Sequence, residues 1–143
     1  MYTWIVVASA TRARIFLANG KKQPWVEQLD LINLENRQLP QAFASDQSGH
    51  MAGAQGQHQT YPDVDNPKQR IADDFARRLT EKLEAAFLSK TFSQLILVAA
   101  PHFLGLLRAH MDANLLDAVK AGVAKDLTLL DTRSLQRRLS EFL

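Results

Sequence analysis

The sequence predicts an α/β sandwich, a mixed sheet that opens as an antiparallel meander and continues through helix–strand–helix units. Three observations carry that expectation. Two apolar, β-rich runs, residues 4–8 and 12–18, are separated only by Ser9-Ala-Thr11, which suits a hairpin. Residues 66–90 show the four-residue apolar recurrence of an amphipathic helix. Gln94-Leu-Ile-Leu-Val-Ala99 is apolar without alternation, as in a strand covered on both faces. With 143 residues, one domain over residues 1–143 is expected, and a chain near this size buries roughly 68–70% of its unfolded surface without staples.

The elements can be justified in order. In the second run Ala13, Ile15 and Leu17 share one face. Asn19-Gly20 is the strongest turn signal in the chain, and residues 25–32 follow as a third strand. Residues 33–66 then show no apolar period of either kind. Asn66 is a good helix N-cap, Pro67 suits the first helical position, and Gln69 stands where a capping box places Glu or Gln. Ile71, Phe75, Leu79, Leu83 and Phe87 form the inner stripe of that helix, while Asp73–Arg77, Asp74–Arg78 and Arg77–Glu81 stand at the i,i+4 spacing outside. Pro101 opens a second helix to about His110. Val119, Ala121 and Val123 alternate as a strand does, and residues 113–118 suit a helix equally well. Thr132 is the expected cap of a terminal helix with Leu135, Leu139, Phe142 and Leu143 on one stripe.

Composition narrows the function classes. Hydrophobic residues are 46% and charged residues 22% of the chain, as in a globular protein rather than a disordered or fibrous one. There is no cysteine, which excludes disulfides, zinc–thiolate sites and thiol catalysis. The net charge of +2 permits a nucleic-acid partner without requiring one. The opening ten residues lack a basic leader, and Arg12 and Arg14 follow them, the reverse of a secretory signal. No apolar run reaches 18 residues, so a cytoplasmic protein with no membrane partner is expected.

The long polar loop, about residues 33–66, is where function is sought first, because structureless spans beyond ~12–15 residues are usually functional or disordered. Within residues 45–61, Gly53 and Gly56 permit close backbone approach, and Gln55, Gln57 and His58 offer donors and acceptors without permanent charge. Such a segment can order on RNA, whose edges and backbone amide side chains read. Lys68 and Arg70 adjoin the loop, have no evident partner in sequence, and are candidate phosphate contacts. His102 and Arg108 follow the buried strand, at the place where open α/β sheets bind ligands.

Signals for catalysis are weak. No serine stands in G-x-S-x-G, and the glycines form neither a dinucleotide fingerprint nor a P-loop. His50 and His58, with Asp46, Asp63 and Asp65, match no metal-ligand spacing. No catalytic residue, metal or cofactor is therefore assigned.

Trp4-Ile-Val-Val-Ala-Ser-Ala-Thr-Arg-Ala-Arg-Ile-Phe16, Leu97-Val-Ala-Ala-Pro-His-Phe-Leu-Gly-Leu-Leu-Arg108 and Lys125-Asp-Leu-Thr128 resemble the bacterial host-attachment protein family across nearly the whole chain. Members are described as required for attachment to host cells, and the resemblance brings no reaction with it. That family is in turn similar to the middle domain of archaeo-eukaryotic peptide-chain release factors, where strands lead into a long loop tipped by Gly-Gly-Gln and a long helix follows. Here Gly53-Ala-Gln-Gly-Gln57 occupies that place without the Gly-Gly-Gln tripeptide, so the likeness implies fold more than peptidyl-tRNA hydrolysis. The expectation is a binding protein, for RNA or the translation machinery, acting through residues 45–61. The alternatives are a protein–protein interaction or regulatory factor and an uncharacterised hydrolase using His50, His58 or His102.

Overall fold

The computed structural model describes residues 2–35 and 66–143. The chain runs β1 (Thr3–Ala8), β2 (Arg12–Ala18), β3 (Val26–Ile32), α1 (Pro67–Leu88), β4 (Gln94–Ala99), α2 (Pro101–His110), α3 (Ala113–Ala118), β5 (Val119–Val123) and α4 (Thr132–Leu139), with a 3₁₀ turn at Ser140–Phe142. The strands form one five-stranded sheet in the order β3-β2-β1-β4-β5. The first three strands pair antiparallel; β4 joins β1 in parallel and β5 joins β4 in parallel. The mixed sheet expected from sequence is thus present, with β1 at its centre. Val6 is registered with Ile15 on one side and with Leu97 on the other.

Because side chains alternate along a strand, each central strand feeds two cores. Trp4, Val6, Ala13, Ile15, Leu95 and Leu97 face α1 and α2, where Phe75, Leu79, Leu83, Phe103 and Leu107 close over them. Ile5, Val7, Phe16, Ile96 and Val98 face the other way, under Trp25, Leu127, Leu135 and Leu139. Fully burying one such side chain contributes about 1.5–3 kcal/mol. Both β1 and β4 are covered on both faces, which is why neither shows an alternating pattern.

The local signals resolve with two corrections. Asn66 caps α1 as expected, its side chain accepting from the Lys68 and Gln69 N–H groups. Gln69, however, turns its amide to His102 rather than completing a capping box. The N-cap of α4 is Asp131, accepting from the Ser134 N–H, and Thr132 is the first helical residue instead. A carboxylate there also meets the positive end of the helix dipole. Residues 113–118 are helix and the alternating Val119, Ala121 and Val123 are strand, so both features of that stretch are realised. Asn33, the first residue of the predicted loop, is buried and anchored to the β1–β2 turn: its N–H donates to Thr11 O at 2.9 Å and its Nδ2 to Ala10 O at 3.0 Å.

Candidate binding surface

The carboxyl ends of β1 and β4 lie at one edge of the sheet, and α2 starts directly from β4 through Pro101. The helix α1 crosses back over the sheet to reach β4, so its head lies at this same edge. Glu35, Pro67, Arg70, Ile71 and Asp74 line one shallow pocket there. Glu35 also reaches Arg78, at 3.9 Å. Glu35 and Pro67, on either side of residues 36–65 in sequence, therefore stand at a single place.

His102, in the first turn of α2, sits against the first turn of α1: its Nε2 lies 3.0 Å from Gln69 Oε1. Lys68 and Arg70 flank that contact in sequence and are exposed, and neither makes an ion pair among the described residues. The structure thus groups Lys68, Arg70 and His102. Arg108 does not join them. It lies over β5, so close to Gly122 that a β-carbon there would stand 2.2 Å from Arg108 Nη2. α2 turns His102 and Arg108 to different neighbours. Gly53, Gln55, Gly56, Gln57 and His58, like His50, lie outside the described residues.

The acidic side of α1 departs from the simple helix pairing. Arg77 bonds Asp74 and, at 3.2 Å, Glu81; Arg78 reaches Asp74 at 3.5 Å. Hydrogen bonding from Arg77 holds the Asp74 carboxyl below its ordinary value, and Asp74 raises Arg77 in return. Asp73, expected to pair with Arg77, instead meets His110 across the helix interface, Oδ1 to Nε2 at 2.8 Å. This histidine–carboxylate contact was not legible from spacing, because its members are 37 residues apart. His102, which a hydrolase would have to place beside a carboxylate, meets an amide.

On the opposite face, β2 presents two arginines that the loop after β5 uses as anchors. Arg14 is buried; its Nε bonds Glu27 at 3.0 Å and its Nη1 donates to the carbonyls of Thr128 and Leu130. Arg12 forms a two-pronged pair with Asp30, Nε to Oδ1 at 2.8 Å and Nη2 to Oδ2 at 2.7 Å. That hydrogen bonding lowers the Asp30 carboxyl and raises the Arg12 guanidinium. Asp126 braces the same loop through the Thr128 N–H and hydroxyl.

Among the described residues no three His, Asp or Glu side chains gather in a way that could hold a metal ion, and no helix is long and apolar enough to cross a membrane.

These features define the class: an α/β protein with a mixed five-stranded sheet packed on both faces, with Glu35 and the head of α1 together at the carboxyl edge of the parallel strands. Residues 4–139 match the family described as "Protein required for attachment to host cells", and the chain belongs to that family. No curated protein matches it in sequence. Among solved structures, one described as "Archaeal protein" is similar at 12% identity with a TM-score of 0.46, over 98% of this chain and 37% of that one. The chain thus spans little more than a third of that protein's length.

Proposed function

We propose that this host-attachment family protein acts by binding, and that its ligand is RNA, free or within the ribosome. The observation that carries the reading is the meeting of Glu35 and Pro67, on either side of residues 36–65 in sequence, at the head of α1, where exposed Lys68 and Arg70 adjoin His102. A polar segment rooted beside cations can follow an RNA backbone while its glutamines reach base edges. The test is co-sedimentation with ribosomes and total RNA at two salt concentrations, against a variant lacking residues 48–60. Binding that weakens with salt and is lost on deletion is expected. Absence of binding to either overturns the reading.

A second reading, docking of another protein, is favoured by a specific feature at the opposite end of the sheet. Tyr2, Phe87, Leu88 and Phe92 line an apolar groove there, and Leu88 is 79% exposed. Retention of a partner from nuclease-treated lysate, abolished by Leu88→Asp, would support this reading over the first.

A further inference from the structure

A second cationic surface lies far from the head of α1. The Asn19-Gly20 turn, with Gly20 at φ 82°, projects Lys21 beside α4, where Lys21, Arg133, Gln136, Arg137 and Ser140 line one open pocket. Gln136 ties turn and helix together. Its Oε1 accepts from the Trp25 N–H at 3.3 Å and its Nε2 donates to Gln23 O at 2.9 Å. Lys21, Arg133 and Arg137 share this one lining, which contains no carboxylate.

The charge balance of this corner is unusual for the chain. Lys22 follows Lys21 in the turn, and Arg138 follows Arg137 in the helix. Against these five cations stand two acids, Asp131 and Glu141, a surplus larger than the +2 of the entire chain. Asp131 caps α4, accepting from the Ser134 N–H; that bond first, and then Arg137 and Arg133, hold its carboxyl below the ordinary value, so it offsets part of the surplus. Gathering like charges costs folding energy unless an anion offsets it. By contrast, Arg12 pairs with Asp30, Arg14 with Glu27, Arg77 with Asp74 and Glu81, and Arg78 with Asp74, while Arg70 and Arg108 make no ion pair among the described residues.

We infer that Lys21, Arg133 and Arg137 form a contact site for the sugar-phosphate backbone of RNA. The inference takes its ligand class from the proposed function but uses none of its residues. Guanidinium forks suit phosphate oxygens better than a point charge does. The lining carries no large apolar side chain of the kind that an amphipathic membrane surface inserts. The site lies on the α4 side of the sheet and the head of α1 on the other, so one RNA engaging both would pass around the edge of the sheet.

The test is fluorescence anisotropy of a labelled single-stranded RNA with the full chain at about 50 and 200 mM salt. Wild type is compared with Lys21→Gln/Arg133→Gln/Arg137→Gln and, separately, with the deletion of residues 48–60. All three substituted side chains belong to exposed residues, and thermal melting checks that the fold is kept. The triple variant is expected to bind roughly 10–20-fold more weakly at the lower salt, with a salt slope flatter by about 2. Wild-type affinity and slope in a folded triple variant overturn the site, whatever the deletion does. Loss on deletion alone would leave the first reading standing and reject this one; loss in the triple variant alone would do the reverse. Binding to phosphatidylserine vesicles with none to RNA would also overturn it.

Discussion

Arg14 Nη1 donates to the Thr128 carbonyl at 3.2 Å, joining residues 114 apart in sequence. The contact unites two of the segments that carry the family resemblance, the 4–16 run and Lys125-Asp-Leu-Thr128. The first supplies a buried guanidinium on β2. The second supplies carbonyls in the loop between β5 and α4, and Asp126 holds that loop in shape by accepting from Thr128.

Arg14→Leu should therefore cost about 2 kcal/mol, because it strands the buried Thr128 carbonyl and the half-buried Leu130 carbonyl, while the exposed Glu27 carboxylate returns to water. Arg14→Lys keeps the charge but loses the fork, and is expected to recover only part of the loss. Urea denaturation measures both. An effect in Arg14→Leu no larger than that of an exposed substitution would show that the anchor contributes nothing.

Acid should weaken the fold partly through Asp30. Hydrogen bonding from Arg12 lowers its folded carboxyl below the ordinary value of 3.8, so the unfolded chain takes up that proton more readily. The stabilisation is complete above the unfolded value and is lost as pH falls below it toward the folded one. Asp74 and Asp131 shift in the same direction. Asp30→Asn should flatten the fall in stability between about pH 5 and pH 3. An unchanged slope in urea unfolding would remove the Arg12–Asp30 pair from the account.

Gly122→Ala should leave the fold intact despite the 2.2 Å approach of Arg108 Nη2 to the added carbon. The obstructing atom is the end of a flexible side chain, and an alanine suits a strand better than glycine does. A stability change within about 1 kcal/mol is expected, with Arg108 displaced. A larger loss in thermal melting would mean that Arg108 is held where it lies.

Asn66→Ala removes the acceptor for the Lys68 and Gln69 N–H groups at the head of α1. The expected cost is about 1 kcal/mol, with Asn66→Asp nearly neutral. Equal stability of Asn66→Ala and wild type in denaturant would contradict the cap.

The strands and α1 were legible because their signals are local. An unbroken apolar run marks a doubly covered strand, and Asn66-Pro67 marks a helix start whatever packs against it. The exchange of partners was not legible. Spacing offered Arg77 to Asp73 and a backbone N–H to Gln69, but α2 brings His110 and His102 within reach, and the cross-helix contacts win. Arg14 shows the same limit from the other side: alternation places it on a face, while its carbonyl partners arrive with a loop more than a hundred residues later. Of the candidate residues, His102 lies in the first turn after β4, and its separation from Arg108 depends on the orientation of α2 against β5. The Lys21–Arg133–Arg137 grouping joins a turn to the last helix, and only the packing of α4 under the sheet reveals it.

The central place of β1 has a consequence for how the chain comes together. One edge of the strand pairs with β2, made within seconds of it. The other waits for β4, whose Gln94 is registered with Thr3, 91 residues on. At about 5–20 residues per second, that edge remains open for roughly 5–18 s of synthesis. Until then the nascent meander exposes an apolar strand with free hydrogen-bonding groups, the kind of edge that recruits other chains. Thus β1 is made well before β4, the strand that seals its second edge.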